Sequence, residues 1–382
     1  MPTPPPLSLY VHLPWCVRKC PYCDFNSYSG GDAAARRRYL EALIADLHRE
    51  AASVSGRPLV SVFLGGGTPS LFTPAEIGTI LDEAANRYSL ADDIEITMEA
   101  NPGTVECGDP KGYREAGVNR LSIGAQSFNA ATLTVLGRVH GVGDIGRAAR
   151  DARDAGFDNI NLDLMYALPG QDVAAAMSDI EAAVRLEPEH LSWYHLTLEP
   201  NTVFHAHPPA GLPDEDVSFE IQQQGEALLA GLGYARYEVS AFARDGRRCH
   251  HNLNYWSFGD YLAVGAGAHG KVSTSAGAMR YAKPANPQQY MKSIEAGEEV
   301  ARTTIGDDDL LFEFMLNASR LSDGFDETLF TSRTGLSAGT LRRRLEPLVE
   351  RGLMAQNGVR KWLPTTTGRR FLNDLQAHFL PD

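Results

Sequence analysis

The sequence predicts an α/β protein: a partial (β/α)6 barrel followed by a mostly helical, winged-helix-like C-terminal domain. Three observations predict it. Over the first two-thirds of the chain, short apolar runs rich in Val, Ile, Leu and Tyr alternate with stretches whose apolar residues recur at helical spacing, as repeated βα units on a parallel sheet require. Roughly six such units fit that length, fewer than a closed eight-stranded barrel has. Beyond about residue 303 the pattern turns helical and is interrupted by one Asn-Gly hairpin signal.

Taken in order, strands are expected at residues 7–13, 60–64, 94–99, 120–124, 159–165 and 190–198, each ending near Gly, Pro or Asn. Helices are expected at 33–52, 74–88, 144–155 and 172–186, with Pro74 opening a helix behind Thr73 as N-cap. These elements make residues 1–232 the barrel. A connecting α/β region, 233–302, carries a strand-like run at 234–242, then Cys249-His250-His251-Asn252-Leu253-Asn254-Tyr255-Trp256, then a glycine-rich stretch at 265–270. The C-terminal domain, 303–382, reads as helices at 307–319 and 337–351, a hairpin of 353–356 and 359–363 across Asn357-Gly358, and a helix at 368–379. Arg342, Arg343 and Arg344 form a basic face there, read as a solvated helix surface.

Composition narrows the function classes. The 382 residues suffice for two or three domains and a large core without staples. At 43% hydrophobic and 22% charged, the chain is an ordinary globular sequence. A net charge of −13 argues against nucleic acid as the principal partner. The opening residues lack the basic and then apolar run of a secretion signal, and no apolar stretch reaches the roughly 18 residues of a transmembrane segment. Three of the five cysteines crowd into residues 16–23, while Cys107 and Cys249 stand apart. A disulfide framework would be spread more evenly, so the clustering points to metal or cluster ligation in a reducing compartment, with the cytoplasm expected.

The residues that carry chemistry follow the strands. Cys16-x3-Cys20-x2-Cys23 comes directly after the first strand, where three thiolates on one loop suit a face of a 4Fe–4S cubane and leave one iron open. A structural zinc ion is the competing reading, but such sites usually take four ligands, and His12 lies back in the strand. Gly65-Gly66-Gly67-Thr68-Pro69 follows the second strand, as a tight turn or a close approach of backbone to a ligand. Glu99 ends the third strand, as a contact to a ribose or ammonium group or as a solvated cap. Gln126 ends the fourth, with Arg138 beyond it. Asp163 lies within an apolar run and needs a partner, either a ligand or a salt bridge. In barrels of this kind the chemistry gathers at the C-terminal ends of strands, where these residues fall.

Several motifs, in order, carry a family likeness: Tyr10-Val11-His12-Leu13-Pro14-Trp15-Cys16, Cys20-Pro21-Tyr22-Cys23, and residues 65–70, 99–102, 124–128 and 162–170. They resemble the oxygen-independent coproporphyrinogen III oxidase-like branch of radical S-adenosylmethionine (SAM) proteins, over most of the chain. The resemblance implies a radical-SAM barrel, a 4Fe–4S cluster on Cys16, Cys20 and Cys23, and SAM on the open iron as the source of a 5′-deoxyadenosyl radical. It implies that Tyr10 contacts SAM, that Tyr22 lies near the adenine, and that Gly66, Gly67 and Thr68 line the amino-acid end. Glu99, Gln126, Arg138 and Asp163 are implied as further contacts, and Thr197 falls where the oxidases place a small residue near a second SAM.

Within that branch, three features resemble the haem-chaperone group rather than the oxidases. Fifteen residues precede Cys16, where the oxidases carry a longer extension. Phe25 stands where the oxidases have a further cysteine, and His251-Asn252-x-x-Tyr255-Trp256 is similar to that group's His-Asn-x-x-Tyr-Trp motif. The group likeness implies haem as cargo, haem-acceptor proteins as partners and an electron donor. Imidazole and thiolate both ligate haem iron, so Cys249, His250 and His251 are candidate ligands, with Tyr255 and Trp256 stacking on the porphyrin. The alternative for that stretch is core aromatics with surface histidines. The alternative function is oxidative decarboxylation of coproporphyrinogen III to protoporphyrinogen IX.

Overall fold

The computed structural model describes residues 4–54, 56–103, 108–275 and 277–381; Cys107 lies outside them. Seven parallel strands form the centre of a twelve-stranded sheet. In chain order they are β1 (Leu7–Leu13), β2 (Leu59–Gly66), β3 (Leu90–Ala100), β4 (Arg120–Gln126), β5 (Ile160–Tyr166), β6 (His190–His195) and β7 (Asp260–Val264). Their spatial order is β7-β1-β2-β3-β4-β5-β6. The first six are the expected βα units. The seventh was not anticipated: it returns from the connecting region to pair with β1, Leu7 opposite Asp260 and Val11 opposite Val264.

The strands alternate in character, and that alternation separates the two faces of the sheet. Leu9, Val11, Val62, Leu64, Ile96, Met98, Leu121, Ile123 and Leu162 belong to the main core, together with Tyr39, Leu43 and Leu47 of helix Ala33–Ala52. The intervening residues are polar apart from Phe63 on β2: Ser8, Tyr10 and His12 on β1, Ser61 on β2, Glu95, Thr97 and Glu99 on β3, Arg120 and Ser122 on β4, and Asn161 and Asp163 on β5. Parallel strands covered on both faces are usually apolar throughout. Here the second face lines a polar interior.

Local signals place the helices as expected. Asp32 caps Ala33–Ala52 by accepting from the Ala35 N–H. Thr73 and Glu76 form a reciprocal capping box with Pro74 in the first turn of Pro74–Arg87. The run at 234–242 is not one strand. It folds into an antiparallel hairpin, Ala235–Glu238 and Ala241–Ala243, because the Glu238 carboxylate accepts from the backbone and hydroxyl of Ser240 and holds a turn. This hairpin extends the sheet at β6, and His269–Thr274, Gly277–Ala282 and Thr303–Thr304 extend it beyond β7.

The C-terminal part has its own core of Phe314, Phe330, Leu341, Leu345, Leu348 and Trp362. Helices Asp307–Ala318, Glu327–Thr334 and Ala338–Glu350 pack with a three-stranded antiparallel sheet in the order Phe325–Asp326, Lys361–Pro364, Met354–Asn357. Asn357 ends a strand rather than opening a two-residue turn, and Gly358 adopts φ +72° in a three-residue connection. The expected last helix is split at Phe371 into Thr366–Arg370 and Leu372–Ala377. All three arginines of the basic face hydrogen-bond within the chain: Arg342 forks onto Glu327 at 2.8 and 2.6 Å, Arg344 donates to the His378 carbonyl, and Arg343 donates to the Thr340 hydroxyl at 3.5 Å. No helix among the described residues is long and apolar enough to cross a membrane.

Candidate functional site

The loop after β1 is closed at its base, where Trp15–Cys16 pairs in parallel with Tyr28–Ser29. Trp15 is buried edge-on to Tyr39 and stacked near Phe72, which fixes the start of the loop. The Cys23 N–H donates to the Cys20 carbonyl, and Lys19 Nζ donates to the Phe25 carbonyl. All three loop cysteines are free thiols and line one cavity of about 300 Å³. Burial pushes the Cys16 thiol up to about 11 and raises that of Cys23. Among the described residues no three His, Cys, Asp or Glu side chains are gathered closely enough to hold a single metal ion. The thiols are a donor set facing a common space. Their number, their softness and the guanidinium of Arg138, 3.5 Å from Cys20 Sγ, fit an iron–sulfur cluster, whose ligands are thiolates.

The strand ends meet that loop. Gly66 has φ +115°, and a Cβ there would lie 2.5 Å from the His12 ring; one on Gly67 would lie 2.6 Å from the Trp15 carbonyl. The glycines therefore serve close packing of β2 on the cluster loop, with Gly67 N–H donating to Leu13 O and Thr68 N–H to Trp15 O. Thr68 Oγ1 accepts from Asn101, whose Oδ1 accepts from Arg138 at 2.5 Å, and Arg138 also donates to the Gly124 carbonyl. Gln126 sits in the left-handed region at φ 65°, uncommon for a residue with a side chain, and accepts from the Tyr194 hydroxyl at 2.8 Å.

Four carboxyls line this cavity, those of Asp24, Glu99, Asp163 and Glu199, and of these Glu99 and Asp163 stand on the strands. Glu99 accepts from the Gly66 N–H, yet burial and the neighbouring Asp163 push its pKa up to about 8. Burial raises Asp163 as well, against hydrogen bonds from Ser122 and Asn161. A pair of raised carboxyls at a cavity wall suits the cationic groups of a ligand.

Of the SAM contacts that the resemblance implies, Tyr22, Gly66, Gly67, Thr68, Glu99, Gln126, Arg138 and Asp163 line this cavity, and so does Thr197. Tyr10 lines a neighbouring cavity of about 330 Å³, which shares Phe25, Gly66 and Glu99 with the first. Sequence reasoning gave no role to Asn101 or Tyr194. Both are polar residues at strand ends, the signal by which the others were found.

Cys249, His250 and His251 lie elsewhere. They open helix His250–Trp256, which fills the interior at the N-terminal ends of the strands. Glu95 accepts from Cys249 Sγ and from the His250 and His251 N–H groups. Burial alone would raise Glu95, but Arg120 and those two backbone donors outweigh it and hold the carboxyl below its usual range. Burial pushes the Cys249 thiol up to about 12 and the His251 imidazole down to about 3. His251 Nδ1 is hydrogen-bonded to Ser61, and its ring stacks on Phe63 at 4.9 Å. His250 is exposed, and neither histidine lines the two cavities. Trp256 lies under Arg320, while Tyr255 lines the second cavity.

Comparison with known proteins agrees with this geometry. The Radical SAM superfamily model matches residues 10–183, and the HemN C-terminal domain model matches residues 306–371. The chain is 45% identical to the haem chaperone HemW of Escherichia coli K12 over 99% of both chains. It is 44% identical to HemW of Haemophilus influenzae over the full length of both. It is 35% identical to HemW of Mycobacterium tuberculosis H37Rv over 97% of this chain and 93% of the relative. The structure of the E. coli radical SAM enzyme coproporphyrinogen III oxidase, HemN, superposes with a TM-score of 0.83 at 24% identity, covering 98% of this chain and 90% of that one. The family models and the full-length likeness together place the chain in the HemN-like branch of the radical SAM superfamily, as a member of the HemW family.

Proposed function

We propose that the chain is a haem chaperone, which binds haem and delivers it to acceptor haemoproteins, such as those of a respiratory chain, while carrying a 4Fe–4S cluster and SAM. The observation that carries this reading is the similarity to HemW proteins at 35–45% identity over nearly the whole chain. The oxidase alternative is not favoured: the likeness to HemN is in fold, at 24% identity.

In this reading Cys16, Cys20 and Cys23 hold the cluster, and Arg138 offsets the negative charge of its thiolates beside Cys20. The Gly66–Thr68 backbone edges the space in which SAM lies, with Glu99 and Asp163 facing its cationic groups. Gln126, locked by Tyr194, and Asn101, locked between Thr68 and Arg138, set the shape of the same wall. When bound and reduced, the cluster supplies electrons for cleaving SAM. An electron donor and the cytoplasm complete the proposal, the latter resting on the grouped reduced cysteines.

The test is anaerobic reconstitution followed by haem titration and transfer. About four irons per chain, a perturbation of the cluster spectrum by SAM, a saturable Soret band and transfer of haem to an apo-haemoprotein are expected. Turnover of coproporphyrinogen III to protoporphyrinogen IX would return the chain to the oxidases.

A further inference from the structure

Resting on the chaperone reading, we infer that haem is seated in the second cavity, between the cluster loop and the loop before strand His269–Thr274, with His269 as the iron ligand. This cavity is walled by Tyr10, Phe25, Tyr255 and Tyr261, a set of rings suited to a flat porphyrin. Tyr255 and Tyr261 have ring centroids 4.2 Å apart, so one wall is already formed. Phe25 is 60% exposed, a large apolar side chain at the boundary between the two cavities that the described residues leave uncovered. No lysine or arginine lines this space, which leaves the propionates to the solvent side. The volume of about 330 Å³ adjoins the first cavity and by itself falls at the lower end of the range of ligand sites.

The ligand follows from the state of the imidazoles that line or back this second cavity, since His195 lines only the first, and an iron ligand needs a ring nitrogen with a free lone pair and room in front of it. His12 has neither nitrogen to offer: Nδ1 is hydrogen-bonded to the Tyr10 hydroxyl at 3.0 Å and Nε2 to the Asn26 carbonyl at 2.8 Å. His251 keeps Nε2 without a partner, but that atom is buried, and the ring is enclosed by Phe63, Tyr10 and Tyr255. His269 lines the cavity, is exposed, and engages no hydrogen-bond partner among the described residues. Its backbone is held in place. Gly267 has φ +73° and packs on Asn26, whose amide donates to the Ala266 and Ala285 carbonyls, and Lys283 N–H donates to Ala268 O. Asn26 follows the cluster loop by three residues, so the same contact ties the haem-side loop to the cluster side. Binding is a coordination step: a lone pair of His269 enters the axial position of the iron and displaces its previous ligand, with no electron transferred. His251 is a positioning residue, supporting Tyr10 and Tyr255 from behind.

The experiment is an anaerobic haem titration of the cluster-reconstituted full chain, read by the Soret band and by resonance Raman, with circular dichroism and cluster absorbance confirming the fold of each variant. His269→Ala is expected to shift the Soret maximum, remove the imidazole–iron signature and weaken binding at least tenfold, with free imidazole restoring the spectrum. His269→Met, which retains a ligating atom, is expected to change the signature again, and it keeps the test open if the alanine variant fails to fold. His251→Ala is expected to weaken binding several-fold with the wild-type signature intact, and exposed His207→Ala to change nothing. A wild-type signature and affinity in both His269 variants, or loss of the signature in His251→Ala alone, would overturn the inference and leave the chaperone reading standing. Absence of saturable binding by the wild type would defeat the chaperone reading itself.

Discussion

Glu95 and Glu99 stand on one strand, β3, with one residue of the same face between them, and the protein treats them oppositely. Glu95, at the N-terminal half of the interior, is surrounded by donors of its own chain and held below the usual carboxyl range. Glu99, at the C-terminal half, receives one backbone N–H, faces Asp163, and rises to about 8. The same alternation of polar residues lines both halves. In the lower half helix His250–Trp256 supplies the partners: Asn254 donates to Ser8 and to the Asp260 carbonyl, and Ser61 meets His251. Next to it His190 joins Asn161 to Tyr237. In the upper half no element among the described residues fills the space, and the polar groups face a cavity. Polar groups satisfied within the chain specify structure, whereas polar groups gathered around open space await a ligand.

The comparison breaks most visibly at the cluster loop. Cys20→Ala is expected to abolish cluster assembly, from about four irons to none, while the circular dichroism spectrum stays that of the folded protein, because the core does not depend on the metal. An unfolded variant would mean that the upper half is structural after all. Glu95→Ala removes the acceptor that starts helix His250–Trp256 and takes from Arg120 one of its two carboxylate neighbours, the other being Asp163, so denaturant unfolding is expected to show a loss of about 3–5 kcal/mol. Little change there would erase the distinction between the halves.

The pH dependence sharpens it. Glu99 binds its proton more tightly folded than unfolded, so between pH 4.5 and about 8 the folded state holds more protons and stability falls as pH rises. Glu99→Gln is expected to flatten that slope in the apo-protein and to stabilise it at pH 8 by about 1–3 kcal/mol, a figure reduced for partial exposure. Glu95 gives the opposite sign, with its stability present above the unfolded carboxyl pKa and lost on acidification. The smallest expected effect is that of Ser61→Ala, about 1 kcal/mol by unfolding, since it removes the hydroxyl shared by Ser8 and His251.

Much of the upper half was legible in the sequence, because strand ends carry short motifs whose chemistry is local. Cys16, Cys20, Cys23, two of the three glycines (Gly66 and Gly67), Glu99, Gln126 and Asp163 fell on one cavity. Asn101 and Tyr194 escaped notice, since each acts through a neighbour that is distant in the chain, Arg138 and Gln126 respectively.

By itself the sequence determined the six βα units, the capped helices and the helical character of the C-terminal part, all of which rest on periodicity, caps and contacts between near neighbours. Only the tertiary structure decided that β7 completes the parallel set beside β1, that the Cys249–Trp256 stretch enters the interior as a helix capped by Glu95, and that His269 reaches the same cavity as Tyr10. Each of those joins residues far apart in the chain, as Glu95 and His251 are at a separation of 156. No local pattern encodes such a pairing, because whether a polar strand residue meets an internal partner or a ligand depends on which distant segment arrives to cover it.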